Sequence, residues 1–421
     1  MIVFLKNNFL FNDINLTFFS IGILITFLVA LSAWHRIEKN KLSFYLILIF
    51  YVFSFGLVII SINWFLFMIG WELVTLTTTL ILLWDKKSTA WKYFIVQFIG
   101  GSFLIYTVLL AFSNGYNHIG PIEEIWLQNM FIVAIGIKSL IFGFHFWMPI
   151  IYRKASTTFC AISSGWVAKL GYIILLKIID NGNQLLLILG FLMVFYGGYR
   201  ALRENNYKIL LAFSTLSQLG FIAIAIGSGS KYGYYGAIIH IIAHGLAKST
   251  LFNGATFWFE EYGTMLIEKF KSCSDRQWIN TITTFFAFLS IMGIPLFIGY
   301  NSKYLIKHSL NQNIYFIIII NLASIITVLY SMKVLSLIFL NRGKIDIKKL
   351  TFKYKCKGNY VLSFIEKVSL LLGIVFLVIF GIFPNFIIDN DIEYHFLTGF
   401  FYSFIYILIA LRFYFAKYLS F

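Results

Sequence analysis

The chain alternates long apolar runs with short polar gaps. Apolar runs of about 17–25 residues are long enough to cross a bilayer as helices, which satisfy their own backbone groups. The pattern predicts thirteen such helices, over 14–34, 43–60, 62–84, 91–112, 130–150, 158–179, 183–200, 209–227, 233–258, 279–300, 311–340, 360–387 and 396–416. The first resembles a signal anchor, but no small-residue cleavage site follows it, so it is expected to stay in the mature protein. No gap reaches the roughly 50 residues that a water-soluble domain needs.

The gaps test the helix count. Numbered from the first helix, the odd gaps hold Arg36, Lys39 and Lys41; Lys86 and Lys87; Arg153 and Lys154; Arg203 and Lys208; Lys269, Lys271 and Arg276. The last odd gap adds Arg342, Lys344, Lys348, Lys349, Lys353, Lys355 and Lys357. The even gaps are nearly free of cations and carry Glu123, Glu124, Asp180, Asp389, Asp391 and Glu393. A miscounted helix would break this alternation. By the positive-inside rule the C-terminus is expected in the cytoplasm or matrix and the N-terminus on the opposite side. The basic gap at 341–357 reads as a solvated inside loop, with anionic lipid or a partner subunit as the alternative contact.

Composition agrees. Of the 421 residues 60% are hydrophobic and 12% charged, against about 25% charged in soluble domains. That excludes a soluble globular, disordered or fibrous protein and leaves an all-α polytopic membrane protein. Four prolines and three cysteines, with no CxxC, exclude collagenous and disulfide-framed chains and offer no zinc or iron–sulfur site. The net charge of +16 would suggest nucleic acid on a soluble protein. Here the cations lie between apolar runs and set orientation, so no nucleic-acid partner is expected.

An ionisable side chain within the hydrocarbon is costly and marks a functional candidate. The candidates are Glu72, Lys138, His145, Lys169, His240, His244, Lys248 and Lys303. Lys177, Lys307, Lys333 and Lys367 lie near helix ends and are expected to snorkel. Glu72 sits mid-helix in FLFMIGWELVTL with no cation within a turn, and Lys138 is the obvious partner from another helix. Burial disfavours the charged form of a lysine and a nearby carboxylate favours it. A lysine whose partner approaches and retreats therefore has a switchable proton affinity; the alternative is a static pair locking two helices.

His240, His244 and Lys248 recur at four-residue spacing, so they share one helix face and could relay protons through intervening water. Metal binding is the weaker alternative, since no carboxylate joins the histidines and Lys248 would repel a cation; satisfied core histidines are the other. Lys169 lies among small residues that permit close helix packing. Gly143, His145 and Pro149 in one helix, and Gly293, Pro295 and Gly299 in another, make continuous helices doubtful. Interrupted helices line hydrated cavities or are buried in protein. Lys138 and Lys303 are then expected to correspond. Helices two to six and seven to eleven form two sets of five, and an odd number makes the repeat inverted. The expected divisions are 1–42, an N-terminal helix and loop; 43–179 and 180–340, the two repeats; and 341–421, the basic loop and C-terminal helices.

The ordered series WEL at 71–73, KYF at 92–94, K-x6-HFWMP at 138–149, AKLGY at 168–172, NYKILLAFSTLSQLGF at 206–221, HxxxHxxxKxxLF from His240 and GIPLFIGYNSK from Gly293 resembles one family. These are the antiporter-like membrane proteins: the proton-pumping antiporter-like subunits of respiratory complex I, the large subunits of Mrp-type cation/proton antiporters, and membrane hydrogenase subunits. The resemblance covers roughly residues 60–340. It implies a lateral proton path at the membrane midplane with half-channels to either side. By position Glu72 and Lys138 resemble the family's ion pair, Lys169 its central relay lysine, and His240, His244 and Lys248 its hydrated relay. Lys303 matches the terminal lysine and His145 the histidine after the first break. The family's redox chemistry belongs to other subunits, so no cofactor is expected here.

Three features depart from the pattern. Ile150 and Ile151 follow Pro149 where an acid is typical, Asn206 replaces a frequent aspartate, and Glu72 comes earlier in the chain than the family usually has it. The leading expectation is a proton-translocating subunit of a multisubunit inner-membrane complex, bacterial or mitochondrial, with other membrane subunits and lipid as partners. Alternatives are a Na⁺/H⁺ antiporter subunit, a non-pumping structural subunit and, more weakly, a free-standing solute carrier. Thr75, Thr77 and Thr78 near Glu72 are weak sodium-ligand candidates.

Overall fold

The computed structural model describes residues 9, 10, 12–34, 36, 37, 40–84, 87–270, 278–310, 313–340 and 363–384. The helices are α1 (Asp13–Ala33), α2 (Lys41–Ile60), α3 (Trp64–Leu83), α4 (Lys87–Ser113), α5 (Ile125–Gly136), α6 (Trp147–Lys154) and α7 (Thr157–Ile178). They continue with α8 (Gln184–Arg203), α9 (Tyr207–Gly227), α10 (Lys231–Tyr262), α11 (Trp278–Met292), α12 (Ile298–His308), α13 (Ile314–Leu340) and α14 (Phe364–Ile382). Twelve of the predicted spans fall on these helices, the fifth on α5 and α6 and the tenth on α11 and α12. The thirteenth, 396–416, lies outside the described residues, as do the basic segment 341–357, Lys39, Lys86, Lys271, Arg276, Asp389, Asp391 and Glu393.

Among the described residues nine helices are long and apolar enough to cross a membrane. α10 runs 32 residues but carries His240, His244, Lys248, Ser249 and Asn253 within its length, which makes it more polar than the others. Asparagine starts several helices: Asn12, Asn63, Asn183 and Asn206 each accept a backbone N–H of the first turn of α1, α3, α8 and α9. An N-cap is served equally by Asn and Asp, which accounts for the departure at Asn206.

α7 and α9 are buried along their spans and form the centre with α10, which packs against α9, α11, α12 and α14. α4 lies at the periphery and turns Trp91, Ile95, Phe98 and Ile99 outward, as a face toward lipid does. Contacts between loops join gaps of the same parity. On the even side Asn63 bridges His118, Ile122 N donates to the Ile178 carbonyl, and Asn183 N to that of Gly227. On the odd side Asn206 bridges Leu266, and Lys208 Nζ donates to the Ala155 carbonyl at 2.6 Å.

Two predicted spans are broken. α5 stops at Gly136, and α6 starts only at Trp147. Between them Leu140 and Gly143 have φ of 58° and 92°. α11 stops at Met292, and Gly293 and Leu296 have φ of 82° and 77° before α12. A leucine in the left-handed region costs on the order of 1–3 kcal/mol and persists only where its surroundings fix it. Each break contains one.

Candidate functional site

At the first break Trp147 Nε1 donates to the freed Ile137 carbonyl at 2.9 Å. Lys138 reaches across to α3 instead. Its Nζ donates to the Trp71 carbonyl at 2.6 Å and to Thr75 Oγ1 at 2.8 Å, 4.1 Å from the centroid of the Trp71 ring. Trp71 and Thr75 flank Glu72 on the same helix. The Glu72 carboxylate lies against Gly101 of α4, where an added Cβ would collide with Oε1. Glu72 and Lys138 are therefore brought to the same turn of α3 without closing a direct ion pair.

α7 carries a π turn at Ser163–Val167, just ahead of Lys169. Such a turn leaves a carbonyl free of its usual partner, and the Lys169 ammonium donates to the Ser164 carbonyl. Ser164 Oγ and Thr215 Oγ1 of α9 are 2.6 Å apart. Thr215 Oγ1 donates to the Leu211 carbonyl at 2.9 Å, and the same carbonyl accepts from Lys248 Nζ at 3.0 Å. Lys248 Nζ also donates to Ser214 Oγ. Buried polar groups of Ser164, Thr215 and the Leu211 carbonyl thus lie between Lys169 on α7 and Lys248 on α10, each lysine donating to a carbonyl among them.

Toward the other end of α10 the rings of His240 and His244 stack with centroids 6.2 Å apart and planes 8° from parallel. His240 Nδ1 pairs with Ser302 Oγ of α12 at 2.8 Å. His240 Nε2 and both ring nitrogens of His244 are buried with no hydrogen-bond partner in the protein. Buried polar atoms of this kind need a partner, so this is the part of α10 suited to relay water. Lys303, next to Ser302, donates from Nζ to the Ile291 carbonyl at 2.8 Å and the Met292 carbonyl at 3.4 Å, which are the last of α11. It also lies 5.0 Å from the centroid of the Phe221 ring, which stands 5.8 Å from that of His240.

Several expectations change. Lys138 lies within its break, two residues past the end of α5, and Lys303 lies in α12 after its own, so the two lysines do not occupy equivalent positions; the left-handed leucines Leu140 and Leu296 do recur. His145 lies inside the first break, its ring between Phe142 and Tyr196 at 5.6 and 5.2 Å, and its Nδ1 is buried without a partner. It packs apart from the line of lysines. Lys177 and Lys333 do more than snorkel. Lys177 donates to the Ile59 carbonyl at the end of α2. Lys333 Nζ donates to the Leu202 and Glu204 carbonyls, both at 2.9 Å, at the end of α8. Cations there complement unpaired helix carbonyls. The hydroxyls of Ser164, Ser214, Thr215 and Ser302 were not singled out from sequence, because serine and threonine occur widely in membrane helices; Thr75, named there as a weak sodium ligand, accepts from Lys138 instead.

The fold and its apolar helices define a multi-pass membrane protein with charges buried among its spans. The chain belongs to the NADH:quinone oxidoreductase/Mrp antiporter transmembrane family, whose profile matches residues 61–329. It is 26% identical over 402 residues to NADH-quinone oxidoreductase subunit M of Escherichia coli strain K12, covering 87% of this chain and 77% of that one. It is 27% identical over 318 residues to NAD(P)H-quinone oxidoreductase chain 4 of the chloroplast of Adiantum capillus-veneris, covering 68% and 63%. The fold is shared with a chain of the Mrp complex from Dietzia sp. DQ12-45-1b, at a TM-score of 0.76 and 17% identity over 89% of this chain and 81% of that chain. It is also shared with a chain of respiratory complex I from Thermus thermophilus, at 0.72 and 19% over 87% and 84%.

Proposed function

We propose that this chain moves protons along the membrane midplane as a subunit of a complex I-like NADH:quinone oxidoreductase. The observation that carries the reading is the run of buried polar groups between Lys169 and Lys248. With Lys138 beside Glu72 at one end and the histidine row leading to Lys303 at the other, the buried charges form a series. When Lys138 leaves Trp71 and Thr75 for Glu72, the carboxylate favours its charged form. When it retreats, the ammonium gives up its proton toward Lys169, which passes one on to Lys248 through water held beside Ser164 and Thr215. Burying so many ionisable groups without use would be costly, which disfavours a purely structural subunit. The likeness to quinone-oxidoreductase subunits supports other membrane subunits as partners and an inner-membrane site, with the basic gaps on the cytoplasmic or matrix side. The two broken helices support 43–179 and 180–340 as inverted repeats.

Sodium/proton exchange is the second reading. Against it, the carbonyl of Trp71 and hydroxyl of Thr75 that would suit a sodium ion are taken by Lys138. The complex reconstituted in vesicles distinguishes the readings, since proton uptake should be independent of sodium. Lys138→Ala and Lys169→Ala should each lower uptake roughly tenfold or more with assembly intact. Wild-type uptake by both variants would overturn the proposal.

A further inference from the structure

α4 lies at the periphery, yet one of its polar side chains is turned inward. Gln97 is 1% exposed, and both Oε1 and Nε2 of its amide are buried with no hydrogen-bond partner in the protein. Among the described residues no other buried amide side chain leaves both its donor and its acceptor without one. Burying an unpaired amide is costly, and buried polar groups are met either by protein or by water.

Contacts one turn to either side fix where this amide stands. Before it, Tyr93 OH lies 3.1 Å from Thr78 Oγ1 of α3. After it, Gly101 lies against the Glu72 carboxylate of α3. Residues four apart share a helix face, so Tyr93, Gln97 and Gly101 all turn toward α3. The two helices run in opposite directions, and Thr75 is midway between Thr78 and Glu72, so Gln97 stands level with Thr75. On its other flank α4 meets the first break. Gly100 packs against the Ile137 side chain, and the Tyr93 and Trp147 ring centroids are 5.4 Å apart. Gln97 is thus set between α3 and the break, at the height where Lys138 Nζ donates to Thr75.

A lysine ammonium has three N–H donors, and Lys138 gives two of them to the Trp71 carbonyl and Thr75. An amide offers donors and an acceptor and does not titrate, so it can serve a lysine and a carboxylate at once. Gln97 hydrogen-bonds directly to neither, and polar contacts beyond direct reach are bridged by water. A buried water needs two to four polar partners; Gln97, Glu72 and Lys138 supply three. We propose that Gln97 is a positioning residue for the Glu72–Lys138 pair, holding a water that hydrogen-bonds to both. With Lys138 turned to Glu72, the water keeps the two charges from locking in contact. With Lys138 turned back to Trp71 and Thr75, the carboxylate keeps the water as a partner. Neither position leaves a buried charge unsolvated, so the lysine can move both ways. The proposal rests on the proton-relay reading above.

The test uses the assembled complex in vesicles. Gln97→Met keeps the volume and removes the amide, and it should slow proton uptake roughly tenfold. Gln97→Asn keeps the amide on a shorter stem and should retain most of the uptake. A side chain that only fills space predicts the reverse order, because Met fills the site and Asn leaves a cavity. Uptake by Gln97→Met as fast as by Gln97→Asn would therefore overturn the proposal. A cryo-EM map of the wild-type complex that shows waters gives a second test, independent of whether the variants assemble. A water within hydrogen-bond distance of both the Gln97 amide and Glu72 supports the assignment; an amide bonded directly to protein, with no such water, overturns it. If Lys138→Ala and Lys169→Ala slow uptake while Gln97→Met does not, the role of Gln97 alone falls. If all three pump at the wild-type rate, the relay falls with it.

Discussion

Lys138 is held by two acceptors one residue before and three after Glu72, so a small displacement decides whether it faces the acid. A hydrogen bond to a charged group contributes about 1.5–3 kcal/mol. Thr75→Val removes one of the two and should shift Lys138 toward Glu72, slowing proton uptake by roughly tenfold. Thr75→Ser keeps the hydroxyl and should pump normally; equal rates in the two variants would show that the acceptor does not matter. The buried charges were legible because a lysine or glutamate inside an apolar run stands out. The groups that connect them were not. Ser164, Thr215 and the Leu211 carbonyl become a path only when α7 packs on α9.

At the scale of elements the breaks place the lysines. Glycine and proline in GFHFWMP and GIPLFIGYNSK mark interrupted spans: α11 does stop just before Gly293, whereas α5 stops at Gly136, ahead of Gly143, and α6 takes in Pro149. Where each lysine falls relative to its break was not legible, since it depends on where α5 ends and α12 restarts. The π turn ahead of Lys169 likewise has no compositional marker. Gly293→Ala puts a Cβ into a left-handed position beside the Lys303 side chain, costing about 1–2 kcal/mol. Its Tm in detergent should fall by several degrees and proton uptake should fall with it. Leu296→Gly relieves the neighbouring strain and should keep Tm and uptake near wild type. A loss of Tm in Leu296→Gly as large as in Gly293→Ala would mean that the left-handed backbone stores no strain there.

Across the whole molecule, the sequence alternation of basic and acidic gaps and the loop contacts agree on which ends lie together. In a cysteine-free background, Lys154→Cys and Arg203→Cys should react with a membrane-impermeant thiol reagent from one side only. Asn117→Cys and Asn181→Cys should react only from the other. Labelling of Lys154→Cys and Asn181→Cys from the same side would break the arrangement. The long apolar spans were legible because bilayer thickness fixes their length. The central place of α7, α9 and α10 was not, because it arises from how the spans pack.

The central claim is that the buried groups act in series as one path. The most direct measurement is the initial rate of proton uptake by the reconstituted complex in Lys138→Ala, Lys248→Ala and the double variant. Groups in one series do not add, so the double variant should pump no more slowly than the slower single variant. A double variant slowed by the product of the two single effects, or single variants that pump at the wild-type rate, would contradict it.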